Sequence, residues 1–179
     1  MINLVRPTFD LYESWAAAVS EFADRHIDGS GLTDHTEPTV EACQALIEKE
    51  RAYSDPSTPL PPPLVHSSYW WITDDRGDDV EVVGFIALRH RLTDALRVIG
   101  GHIGYAVRPS RRREGIATRA LGLVLDDARR LGLDRVLLTC DDDNEASART
   151  IERCGGQRQM PDSKSPSGAA LVRHYWIQL

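Results

Sequence analysis

At 179 residues, 41% of them hydrophobic and 27% charged, the chain has the make-up of one globular domain, residues 1–179, large enough to bury a core. Its net charge of −6 excludes the basic surface a nucleic-acid binder needs to displace counterions from phosphate, and suits a cationic substrate such as an amine. Cys43, Cys140 and Cys154 offer no CxxC spacing for zinc or dithiol chemistry, and no apolar run approaches a membrane span or a signal-peptide core, so a cytoplasmic protein with reduced thiols is expected.

In chain order, residues 2–6 read as a short strand stopped by Pro7. Leu11, Trp15, Ala18, Val19 and Phe22 recur at helical spacing and predict a helix from Leu11 to about Arg25. A second helix is expected over Thr39–Tyr53 with Thr39 as N-cap. The five prolines of residues 54–65 predict an extended surface crossing beside the substrate site. Strands follow over Ser68–Thr73, Val80–Arg89 and His102–Val107, the last two separated by a loop around Gly100-Gly101. Gly115–Leu131 carries Ile116, Ala120, Val124, Ala128 and Leu131 on one face, a helix that Gly132 ends. Val136–Thr139 has the look of a buried strand, Asn144–Arg153 of a helix and Leu171–Ile177 of a closing strand. Strands either side of a helix imply a mixed α/β sheet with a right-handed crossover. The closing strand, taken as exposed, would support a homodimer; a monomer is the other outcome.

The segment from Val107 to Ala117, V-R-P-S-R-R-R-E-G-I-A, sits between a strand and a helix N-terminus. Amides of a first helical turn lack intrahelical partners and lie at the positive end of the dipole, so this is a place for phosphate. Gly115 lets a large anion approach the backbone, while Arg112 and Arg113 add charge. Neither a Walker GxxxxGK[ST] nor a GxGxxG pattern is present.

Arg112-x-x-Gly115-x-Ala117 resembles the [QR]xxGx[GA] pyrophosphate loop of GNAT acyltransferases, and Val107-x-Pro109 resembles that family's approach to it. The downstream Asn144-x-x-Ser147 followed by Gly155-Gly156 is similar to the family's next segment. The resemblance covers residues 80–156 best. It implies an α+β fold: a mixed, mostly antiparallel twisted sheet flanked by helices, with splayed central parallel strands. It also implies acetyl-CoA as cosubstrate, no metal, and an amine-bearing small molecule or peptide as acceptor. The cofactor site would comprise Arg112, Arg113, Glu114, Gly115, Ile116, Ala117 and Thr118, with Asn144 and Ser147 contacting the pantetheine arm. A domain that binds acyl-CoA without turning it over is the alternative.

Physical logic adds that the pantetheine arm would pair with strand amides near Ala106 and Val107, one of which would hold the thioester oxyanion. The family's usual acid, a tyrosine on the last helix, aligns with Ile151, which has no proton to give. Tyr105 and Tyr175 are substitutes for it, and His102 is a candidate base whose ordinary pKa suits the task. Strict alternation would put His102 and Tyr105 on opposite faces unless the strand is bulged. Asp141-Asp142-Asp143 reads as a solvated helix start rather than a metal site, and Cys140 as a small buried residue.

Overall fold

A computed structural model describes residues 1–23, 25–77, 79–159 and 172–179. β1 (Ile2–Val5) leads through a 3-10 turn into α1 (Tyr12–Ser20), followed by α2 (Val40–Ser54), β2 (Ser67–Asp74), β3 (Glu81–Arg89) and a five-residue α3 (Asp94–Val98). Then come β4 (Ile103–Val107), α4 (Ile116–Arg130), β5 (Arg135–Asp141), α5 (Glu145–Arg153), β6 (Gln157–Gln159) and β7 (Val172–Gln178). Thr39 caps α2 as expected, accepting the Ala42 N–H at 3.2 Å. The first helix stops at Ser20, short of Arg25, and Leu171 lies outside the described residues.

The strands form two antiparallel ladders, β1-β2-β3-β4 and β5-β7-β6. They are joined where the His102 N–H donates to Leu137 O at 2.7 Å and the Leu137 N–H to His102 Nδ1 at 2.9 Å, with the Gly100 N–H donating to Thr139 Oγ1 at 2.9 Å beside them. Further along, Tyr105 lies near Cys140, so β4 and β5 run in the same direction from that junction. Beyond it they part. The expected splay is thus complete enough to divide the sheet into two ladders. Gly101 makes the junction possible: its φ is +60°, and a Cβ there would stand 2.3 Å from Leu137 O.

Each face of the β1–β4 ladder has its own core. One holds Ile72, Val83, Ile86 and Ile103 against Ile116, Ala120, Leu121 and Val124 of α4, together with Ile151 of α5 and Tyr175 of β7. The other packs Trp15, Val19 and Phe22 with Cys43 and Leu46 of α2 onto Trp71, Val82 and Phe85. In α4 the expected stripe is buried with the exception of Leu131, which is exposed because the helix has already turned into its C-cap there. The Leu133 N–H donates to Ala128 O and the Gly132 N–H to Arg129 O, closing that end.

One expectation is corrected and one condition is settled. The closing strand β7 is no edge: it lies between β5 and β6, so its backbone groups are already paired. The bulge that would have relaxed the alternation of β4 is absent, since β4 pairs with β3 in unbroken register over Ile103–Val107. The irregularity falls instead in β3, where Ile72 pairs Gly84 and Thr73 pairs Val82, leaving Val83 as the extra residue.

Candidate functional site

The site grows from the way β4 ends. The Arg89 N–H donates to His102 O and the Arg108 N–H to Val83 O, which fixes the alternation of the β3–β4 ladder. Even-numbered β4 residues turn their backbone groups to β3, and Ile103, Tyr105 and Val107 turn theirs to the gap. Of the two expected amides, Val107 therefore faces the opening, whereas Ala106 is bonded towards Phe85; Tyr105 takes its place.

After β4 the chain makes a 3-10 turn over Pro109–Arg111 and enters α4 through Gly115, whose φ of +77° makes it a left-handed N-cap. Gly115 has no side chain to cap the helix, and the Arg119 N–H is the first to bond back, to Gly115 O. The amides of Ile116, Ala117 and Thr118 are left open, with nothing within 4 Å of where a Gly115 Cβ would be. Arg112 and Arg113 are exposed beside them. The Arg112 Nε donates to Val107 O at 3.2 Å, tying the loop to the end of β4.

Glu114 stands differently from the other expected site residues. Its carboxylate is taken by Arg111 at 3.0 Å and Arg76 at 2.9 Å, and the same two arginines hold its pKa below the ordinary carboxylate value. Arg111 also bonds the buried Asp74 at 2.8 Å and Glu81, and Arg108 bonds Glu21 at 2.6 Å and Glu81 at 3.0 Å. Arg76 and Arg111 drive the Asp74 carboxyl far below its usual range. This ion-pair lattice braces the loop from behind and keeps Glu114 from repelling an anion at the helix mouth. Its members lie far apart in sequence, so no local pattern announces it.

Across the gap, Asn144 caps α5, its Oδ1 accepting the Ser147 N–H at 3.0 Å. Ser147 Oγ lies 2.8 Å from Tyr105 Oη, and burial raises the Tyr105 phenol to about 12. Tyr105 is thus a neutral hydroxyl in the splay, with Ser147 as its partner. Ile151 is fully buried in the core, and Gly156 abuts it. Tyr175 is also fully buried, with its hydroxyl 3.3 Å from Glu152 Oε1.

His102 is 6% exposed and acts as the staple between the ladders; burial, then Arg97 and Arg89, lower its pKa to about 4. An imidazole whose Nδ1 accepts a main-chain N–H is held neutral, with its proton on Nε2. Asp142 pairs with Arg173 at 2.9 Å, Glu145 with Arg173 at 2.6 Å, and no cluster of three or more potential metal ligands occurs among the described residues.

On the opposite face of β4, the Asp28–Gly29 backbone rests on Gly104; a Cβ at Gly104 would lie 3.3 Å from Gly29 N. Asp28 is a residue the sequence did not single out. The surrounding protein raises its pKa, Asp141 adds to the rise, and His26 and Arg89 oppose it. Its side chain is nonetheless 69% exposed, so it stands at the surface rather than in a sealed pocket.

The profile of a family described as acetyltransferase (GNAT) domain matches residues 4–157. Among proteins of curated function none matches the sequence. Among solved structures, RimJ of Mycobacterium smegmatis in complex with CoA-disulfide is similar at a TM-score of 0.68 and 20% identity, over 99% of this chain and 81% of that one. RimL, a ribosomal L7/L12 alpha-N-protein acetyltransferase solved with coenzyme A, gives 0.66 and 16% over 99% and 94%. MccE, the microcin C7 self-immunity acetyltransferase solved with acetyl-CoA and AMP, gives 0.64 and 16% over 99% and 92%. At these identities the likeness is one of fold.

Proposed function

Because the chain belongs to the acetyltransferase (GNAT) family, we propose that it moves an acetyl group from acetyl-CoA to a primary amine of a small molecule or peptide. The observation that carries the donor assignment is the uncapped start of α4 at the open end of the β4–β5 gap. The Ile116, Ala117 and Thr118 amides would take the pyrophosphate, with Arg112 and Arg113 beside it. The pantetheine amides would pair with the free edge of β4 at Tyr105 and Val107, as an added strand. Structural neighbours solved with acetyl-CoA or CoA support the same donor.

The chemistry follows from the two faces of β4. The amine approaches from the face that carries Asp28, and a β4 N–H polarises the thioester carbonyl. Nitrogen bonds to the carbonyl carbon, the C–S bond breaks, and the amine proton passes to Asp28 directly or through water. On the other face Tyr105 Oη protonates the leaving thiolate and is reprotonated through Ser147 or solvent. Tyr105 thereby stands in for the tyrosine replaced by Ile151. His102 serves in this scheme as the hinge pin of the splay rather than as the base.

The decisive assay follows free thiol from acetyl-CoA against a panel of amines. Release that depends on the amine supports the proposal; binding of acetyl-CoA without release favours the non-catalytic alternative that Ile151 raises. Stronger thermal stabilisation by magnesium-ATP than by acetyl-CoA at equal concentration would sink the donor assignment. Asp28→Asn tests the base. In the wild type the rate should rise with pH as Asp28 deprotonates through its raised pKa, and the variant should lose that limb.

A further inference from the structure

At the end of the sheet away from the α4 mouth, a cavity of about 230 Å³ opens between Leu92, Arg97, His102, Asp134, Arg135 and Trp176. The acyl-transfer scheme uses none of its free polar groups. His102 contributes the feature that gives it chemical meaning. The side chain is 94% buried by its 6% exposure, and its Nδ1 is committed to the Leu137 N–H. The proton therefore sits on Nε2, at the far edge of the ring. Among the described residues Nε2–H has no bonding partner, yet it is not among the sealed unpartnered polar atoms, which are the Trp15 and Trp71 indole nitrogens. It faces the cavity that His102 lines. A donor so deeply set normally has an acceptor.

The surroundings state which acceptor. Arg97 lies close enough to depress the His102 pKa, and the Arg135 guanidinium is fixed with its carbon 4.3 Å from the Trp176 ring centroid. The Trp176 ring meets His102 edge-on at 6.3 Å and, with Leu92, supplies the smaller apolar part of a mostly polar lining. Among the lining residues, two arginines against Asp134 leave one net positive charge, since His102 is neutral; Arg89, also near His102, is turned to the Gly100 and Gly101 carbonyls. A dianion would exceed that charge and be repelled by Asp134, whereas a monocarboxylate balances it.

We propose that this cavity binds a monocarboxylate: one oxygen would accept from His102 Nε2–H, the other would be clamped by Arg97 and Arg135, and a hydrophobic body would lie on Trp176 and Leu92. The chemistry of recognition is a set of charge-assisted hydrogen bonds in a mostly polar cavity.

Benzoate is the probe, titrated into the full chain and followed by histidine-ring NMR and Trp176 fluorescence. Saturable binding with a rise in the His102 pKa is expected, because a carboxylate stabilises the imidazolium. Arg97→Gln and Arg135→Gln, both at exposed positions, should each weaken binding about tenfold while leaving the melting temperature near that of the wild type. Gly115→Glu should leave benzoate binding intact, which separates this site from the α4 mouth. No saturable binding, equal affinity for uncharged benzamide, tighter binding of inorganic phosphate, or arginine variants that bind like the wild type would each overturn the proposal.

Discussion

The starts of α4 and α5 are two helix N-termini flanking the same opening, and they are treated in opposite ways. α5 is finished by its own side chains: Asn144 caps it, while Glu145 and Asp142 are neutralised by Arg173. α4 begins on a glycine with no cap, and the nearby acid Glu114 is drawn off by Arg76 and Arg111. The helix dipole favours anions at both of these N-termini; what differs is whether the chain has already supplied the acceptor. In the proposed scheme the donor takes the terminus left unfinished.

The sharpest way to break this contrast is to finish α4. Gly115→Glu places a carboxylate at the mouth and should raise the dissociation constant for CoA at least roughly a hundredfold, with stability lowered by only about 1–2 kcal/mol for a left-handed non-glycine residue. Calorimetry showing unchanged affinity in the folded variant would refute the assignment. Tyr105→Phe probes the α5 side of the gap. It should lower kcat by about 10²–10⁴, the usual worth of a general acid, while CoA affinity stays within about twofold; an unchanged kcat would hand the proton to solvent.

The junction that holds the two sides together predicts a pH effect on stability. His102 is neutral when folded down to about pH 4, whereas in the unfolded chain it takes up a proton below about 6.5. Its folded pKa is depressed, so its contribution is present above 6.5 and is lost as pH falls towards 4, by roughly 3 kcal/mol. Urea denaturation at pH 7.5 and 4.5 should show that drop in the wild type and a shallower one in His102→Gln. The smallest effect belongs to the finished helix: Asn144→Ala should cost about 1 kcal/mol of stability and change CoA affinity little. A large loss of affinity without a loss of stability would mean that Asn144 contacts the cofactor directly.

Much of the site could be read along the chain because its parts are local. Gly115 and the amides after it are consecutive, and helical spacing over residues 116–128 fixed which face α4 buries. Local signals also existed for α3, where Thr93 caps by accepting the Leu96 N–H, but five residues give no periodicity to weigh against the glycines that follow. The three residues of β6 are similarly silent, since their pairing partner lies on the far side of a long connection.

Other features depend on contacts no window contains. The sequence by itself determined the open glycine start of α4, the capped start of α2 and the absence of an acid at position 151. Alternation along β4 holds over Ile103–Val107, where the strand has no bulge. Tertiary structure alone decided that His102 would bond the backbone of β5, that Tyr105 would meet Ser147, that Asp28 would be laid over β4, and that Glu114 would be turned from the loop it belongs to. The reason is physical: an open amide at a helix start is a property of neighbouring residues, whereas the protonation and partner of a side chain are set by what the fold brings within a few ångströms of it.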